Sequence, residues 1–176
     1  MEYIDTCDEF DNLTGERKLK DLVHKDGDWH RISIIWIANN KGEILLQKRS
    51  SKSESKPEMW DVAAAGHLKS GETPHEAALR EVGEEIGIEV FPEDLNFICS
   101  YKKQTLEKDG AYKNNQHNHL FFVKKDINLE LINKQESEVS DVIFISLENI
   151  EKHLEKKTMN FAFEINEYKN YYRNLT

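Results

Sequence analysis

Five carboxylates fall within GHLKSGETPHEAALREVGEEIGI, residues 66–88, and three of them, Glu81, Glu84 and Glu85, are spaced to converge on one side of a helix. Like charges so placed repel one another unless a cation sits among them, and hard divalent ions such as Mg²⁺ or Mn²⁺ prefer oxygen ligands of this kind. The chemistry such a face supports is that of half a metal site. Glu72, in the preceding loop Lys69-Ser70-Gly71-Glu72, is placed to turn back and pair with Arg80, which would hold that arginine beside Glu81 and fix the loop against the helix.

The helix that must carry these acids has start and stop signals of its own. Thr73 is a good N-cap, Pro74 suits the first helical position, and Glu76 stands three residues after the cap, as in a capping box. Gly87 suits the left-handed residue that closes a helix. At about 100° per residue, His75, Ala78, Leu79, Val82 and Ile86 form one stripe that leaves the carboxylates on a different face. Upstream, Trp60 to Ala65 reads as a short strand entering the segment.

Gly66, five residues, Glu72, seven residues, Arg80-Glu81, Val82, one residue, Glu84-Glu85, one residue, Gly87 and Ile88 reproduce the Nudix box without a departure. The chain resembles a Nudix hydrolase. The resemblance implies that Glu81, Glu84, Glu85 and the carbonyl of Ala65 hold divalent ions, Mg²⁺ or Mn²⁺, that Glu72 and Arg80 form a structural pair, and that the fold is an α/β/α sandwich with a mixed β-sheet. It also implies that an acid from the connection between Glu130 and Ser140 approaches the metals, which makes Glu138 a candidate and Glu136 a second.

Composition sets the frame. With 176 residues and no low-complexity run, one domain covering residues 1–176 is expected, large enough to bury its own core. A formal charge of −9 argues against a nucleic-acid polymer as partner and leaves room for a local basic patch facing a small phosphorylated molecule. Cys7 and Cys99 alone make no disulfide framework, the amino terminus lacks a signal peptide's apolar core, and no apolar run is long enough to span a bilayer. A cytoplasmic protein is therefore expected.

In chain order, residues 2–22 read as a short strand or two at the domain edge, followed by two histidines flanking an Asp-Gly turn in HKDGDWHR, residues 24–31. Ile32 to Ala38 and Glu43 to Arg49 are strand-like, and the turn at residues 39–42 makes them a hairpin that delivers Lys48 and Arg49 to the loop Ser50 to Trp60. That loop, expected to be mobile and exposed, adds Lys52 and Lys56, and the four basic groups could clasp a diphosphate, Arg49 bidentately. Asn96 to Leu106 and Gln116 to Lys124 read as a second hairpin, Val142 to Ile145 as a strand, and the chain from Ser146 as a short helix. From Thr158, the spacing of Phe161, Ile165, Tyr168 and Tyr172 predicts an amphipathic helix whose aromatics enter the core or a homodimer contact. Strands on both sides of one central helix give a mixed α/β architecture.

Over Tyr3 to Ile150 the chain is most similar to the Nudix branch that resembles type 1 isopentenyl-diphosphate isomerase, through His24, His30-Arg31, Gln47-Lys48-Arg49, Pro57, Trp60-Asp61 and Gly66-His67. That resemblance implies a second metal site at His24, His30 and His67. The isomerase's cysteine before the Gly-His pair is Ala65 here, however, and residues 111–123, AYKNNQHNHLFFV, contain none of the carboxylates the isomerase draws from this strand. The expected activity is thus hydrolysis of a diphosphate linkage in a small organic or nucleoside diphosphate, with Glu81, Glu85 or Glu138 taking the proton of a bound water. An isomerase working without cysteine and a non-catalytic diphosphate-binding module are the alternatives.

Overall fold

The computed structural model describes residues 1–53, 55–110, 112–165 and 169. Its organising strand is β3, Trp29–Ala38, buried along nearly its whole length and continuously apolar from Ile34 to Ala38. Consecutive apolar residues of this kind are what a strand needs where both faces are covered. Ile34 and Trp36 enter one core with Ile44, Leu46, Leu120 and Phe122, whereas Ile35 and Ile37 enter a second with Leu45, Phe121 and Val123. This is the period-two alternation of a strand between two layers.

Among the described residues, nine strands build one mixed sheet. β8, Tyr112–Lys124, runs parallel to β3, and β7, Asn96–Glu107, is its antiparallel hairpin partner. On the other edge of β3 lies β6, Ala64–His67, antiparallel, with Ser33 opposite Gly66. β4, Glu43–Arg49, pairs with β9, Val139–Ser146, and with the two-residue β5, Trp60–Asp61. The expected hairpin of β3 and β4 exists only at its turn, where Ala38 faces Ile44; beyond it the strands part and take different neighbours. The single strand expected over Trp60 to Ala65 is likewise two, β5 on β4 and β6 on β3. At the amino terminus β1, Tyr3–Cys7, and β2, Leu13–Leu19, form a hairpin that meets β3 through Cys7 and Trp29.

Helices cover both faces. α1 is Lys20–Asp26, closed by Gly27 at φ 81°, so the Asp-Gly read as a turn is a helix stop. α2, Pro74–Glu81, packs Ala78 into the second core and has the expected Thr73–Glu76 capping box. It continues into a π-helical turn, Val82–Ile86, which Gly87 ends at φ 66°. α3, Leu147–Lys156, is capped by Ser146 and sends Ile150 into the first core. The layers are therefore helix, sheet, helix, the sandwich that the family resemblance implies.

The carboxyl-terminal helix is a partial correction. Phe161 sits in a parallel bridge to Trp60, whose N–H donates to Asn160 O and whose carbonyl accepts from Ala162 N–H, so this stretch is extended. Tyr168 and Tyr172 lie outside the described residues. Among the described residues no helix is long and apolar enough to cross a membrane.

Candidate active site

A cavity of about 920 Å³ opens beside β6 and α2, and its lining includes Glu81, Glu84, Glu85 and Glu138 together with Arg49, Lys52 and Lys56. The acids arrive from two places. Glu81 closes α2, while Glu84 and Glu85 stand on the π turn, which turns Glu85 inward and leaves Glu84 at the surface. Glu85 is only 4% exposed, and its Oε2 accepts from Gln47 Nε2 at 2.6 Å and from the Ala65 N–H at 3.3 Å. Burial, reinforced by the negative charges of Glu81 and Glu138, holds its carboxyl well above the usual range.

Glu81 is also raised, chiefly by burial, with Arg80 opposing. Its carboxylate lies against Gly66, where a Cβ would stand 1.9 Å from Oε1. Glu84 differs: Lys69 at 3.1 Å and Arg80 at 3.0 Å pair with it, and these contacts outweigh its partial burial to hold it below the usual range. The expected crowding of three like charges is therefore real at Glu81 and Glu85 and relieved at Glu84. Glu138 lines the cavity with an exposed side chain; Glu136 does not line it.

The Glu72–Arg80 pair is bidentate, Nε to Oε1 at 2.7 Å and NH2 to Oε2 at 2.9 Å. Arg80 also donates to Glu81 at 2.6 Å, to Glu84 at 3.0 Å and to the His67 carbonyl at 2.9 Å. A guanidinium fork is thereby used on every edge; burial alone would lower its pKa, but the hydrogen bonds and charges of Glu72 and Glu81 outweigh burial and hold it above its ordinary value. Arg80→Lys, which supplies one point charge for this fork, is expected to cost about 2–3 kcal/mol, read as a lower denaturant midpoint with unchanged slope.

The basic loop is more tied down than its sequence suggests. Arg49 Nε donates to Ser55 O at 3.0 Å and NH1 pairs with Asp61 at 3.1 Å, while Lys56 Nζ reaches Ala162 O at 2.6 Å. Ser50 Oγ donates to Ser137 O at 2.7 Å, joining this loop to the one that bears Glu138. Lys48, on the opposite side of the strand from Gln47 and Arg49, does not line the cavity. Sequence reasoning gave no role to Gln47, although its spacing of two from the core residue Leu45 places it on the face toward Glu85.

His24, His30 and His67 do come together, each offering a nitrogen within 4.8 Å of the others, with 3.1 Å between His24 Nε2 and His67 Nε2. Burial drives His24 and His30 down to about 4 and His67 well below its ordinary value. All three are thus neutral near pH 7, the state in which imidazole binds metal. Buried His30 Nε2 has no hydrogen-bond partner among the described residues. Of the three, His67 lines the cavity.

An α/β/α sandwich whose capped helix and its Gly-bearing approach strand carry this acid cluster defines a Nudix domain, and residues 28–165 match that family. The chain belongs to the Nudix hydrolase family. It is 33% identical over 159 residues to Nudix hydrolase 3 of Arabidopsis thaliana, covering 89% of this chain but only 21% of that longer protein. An uncharacterized Nudix hydrolase of Listeria monocytogenes is 34% identical over 86% of this chain and 83% of its own. Isopentenyl-diphosphate Delta-isomerase 2 of Photorhabdus laumondii is 31% identical over 83% and 78% respectively. In fold, the crystal structure of DR0079 from Deinococcus radiodurans superposes with a TM-score of 0.73 at 18% identity, covering 94% of this chain and 96% of that one.

Proposed function

We propose that residues 1–176 form a single domain that hydrolyses a diphosphate linkage in a small organic or nucleoside diphosphate, with Mg²⁺ or Mn²⁺ as cofactor. The observation that carries this reading is Glu85: a carboxyl 4% exposed, beside two further acids and given only amide donors, is a buried negative site that a cation would complete. The oxygen donors of Glu81, Glu84, Glu85 and the Ala65 carbonyl fit hard divalent ions, and the nitrogen donors of His24, His30 and His67 would form a second set suited to a softer ion. Ions bound there would neutralise phosphate oxygens and lower the pKa of a bound water.

The chain's own residues then divide the work. Arg49, Lys52 and Lys56 draw the diphosphate to the wall facing the acids. Glu81, Glu85 or Glu138 takes the proton of the attacking water, Glu138 from the loop before β9 and the others from α2 and its π turn. Gln47 and the Ala65 N–H hold Glu85 in one orientation. Arg80 holds Glu81, so the Glu72–Arg80 pair acts through position.

A panel of nucleoside diphosphate derivatives, dinucleotides and prenyl diphosphates with either ion, read as monophosphate release, tests the reading; no turnover on any of them would leave a binding module. Arg49→Ala is expected to raise KM about tenfold or more with kcat little changed, since a hydrogen bond to a charged group contributes about 1.5–3 kcal/mol of binding common to ground and transition states. An unchanged KM removes Arg49 from the substrate site.

The isomerase-named relative favours a second reading, against which stands Ala65. Allylic proton transfer needs an acid and a base on opposite faces of the substrate carbon, and a methyl group can be neither. Isopentenyl diphosphate incubated with the protein and either ion is expected to yield no dimethylallyl diphosphate. Double-bond migration seen by NMR would reverse the choice.

A further inference from the structure

We propose that Cys7, Asp11, His117 and His119 form a structural zinc site that staples the amino-terminal hairpin to the central sheet. It lies apart from the cavity. On β8, Gln116 and Asn118 line the cavity, and Leu120 and Phe122 continue that face into the first core. His117 and His119 alternate with them and share the opposite face with Phe121 and Val123 of the second core.

The donors arrive from three elements: Cys7 from the end of β1, Asp11 from the turn before β2, and both histidines from β8. Cys7, Asp11 and His117 each offer a ligand atom within 4.8 Å of the others. Zinc bonds of about 2.0–2.3 Å set tetrahedral ligands roughly 3.3–3.8 Å apart, so closure needs side-chain movements of about 1 Å. His119 makes the fourth. Its Nε2 is 3.5 Å from Asp11 Oδ2, and this nitrogen is buried with no hydrogen-bond partner among the described residues, on a side chain only 8% exposed. A buried ring nitrogen left without a partner is costly unless something completes it.

The surrounding groups orient the donors as an outer shell does. His117 Nε2 lies 2.9 Å from the Asp8 carbonyl, and the tautomer that donates Nε2–H there leaves its lone pair on Nδ1. Arg31 Nε takes Asp11 Oδ1 at 2.6 Å and its NH2 donates to the Asp11 carbonyl, which leaves Oδ2 turned toward His119. Sulfur, imidazole and one carboxylate form a donor set suited to zinc rather than to Mg²⁺, and four protein ligands make a closed, structural site. On binding, the Cys7 S–H proton passes to solvent and a zinc–thiolate bond replaces it; nothing is oxidised or reduced.

Cobalt(II) reads the site directly. Full-length protein, reduced and stripped with a chelator, is titrated with Co²⁺ and followed by absorbance. A thiolate-to-cobalt charge-transfer band saturating at one ion per chain and displaced by Zn²⁺ is expected; the three-histidine cluster, which has no sulfur, cannot produce it. Cys7→Ser should abolish the band and Cys99→Ser should leave it. His117→Gln and His119→Gln, which keep the thiol and guard against a misfolded Cys7 variant, should each weaken Co²⁺ binding by about 100-fold or more, since even outer-shell losses cost about 10–100-fold. Absence of the band in the unaltered protein, its survival in Cys7→Ser, or undiminished affinity in both histidine variants would overturn the site.

Discussion

Glu85→Gln is expected to lower kcat by roughly 10²–10³-fold or more at saturating Mg²⁺ or Mn²⁺, the scale of losing a group that stabilises charge in a transition state, while raising the melting temperature of the metal-free protein. Both effects have one cause. Glu85 is buried with Glu81 and Glu138 as negative neighbours, so its ionised form is disfavoured until a cation arrives. Glutamine keeps the shape and an acceptor for Gln47 Nε2 and the Ala65 N–H but removes the charge. The sign of the pH dependence follows from the raised pKa. Because the folded state holds the Glu85 proton more tightly than the unfolded chain does, the unaltered protein loses stability relative to the variant as pH rises through the folded-state pKa, and regains it as pH falls.

The stability gap should therefore be widest at neutral pH and close under acid, in melts run with chelator. Glu84→Gln supplies the contrast, because Glu84 is exposed and already paired with Lys69 and Arg80. Its loss should leave metal-free stability unchanged or lower it by less than about 1 kcal/mol, the usual range for exposed pairs. Equal stabilisation by both substitutions would mean that the charge crowding is shared, and unaltered turnover in Glu85→Gln would remove that residue from the site.

That distinction between neighbouring glutamates marks the limit of what the sequence discloses. Thr73, Pro74, Glu76 and Gly87 state where the helix begins and ends through local hydrogen bonding and backbone preference, and such signals are legible. The π turn at residues 82–86 is not, because one extra residue in a turn leaves no trace in the spacing of apolar side chains, yet it decides that Glu85 points inward and Glu84 outward. Helix α1 was hidden by its shortness and by an Asp-Gly pair that reads equally as a turn. Phe161 fits a helical stripe with Ile165, but backbone pairing of residues 160 and 162 with Trp60 prevails over local spacing. The β3–β4 turn was readable, whereas the partners the two strands take beyond it are set by tertiary contacts far along the chain.

Gly66→Ala is expected to be nearly as damaging as loss of Glu85, although it adds one methyl group and removes nothing. The added carbon would stand 1.9 Å from Glu81 Oε1 and 2.1 Å from Cδ, distances at which something must move. The strand resists, since Gly66 lies between Ala65 and His67, all three in register with β3. Glu81 resists as well: it is buried, and Arg80 holds Oε1 at 2.6 Å while being fixed itself by Glu72 and the His67 carbonyl. Overpacking of this kind costs about 1–3 kcal/mol, and displacing the Glu81 carboxylate should lower turnover by roughly 10²-fold or more. A double-mutant cycle separates the two losses. Glu81→Ala removes the group with which the methyl collides, so Gly66→Ala should cost much less stability in that background than in the unaltered protein, with no return of activity. If the two substitutions add instead, the glycine is needed for its own backbone and not for the carboxylate packed against it.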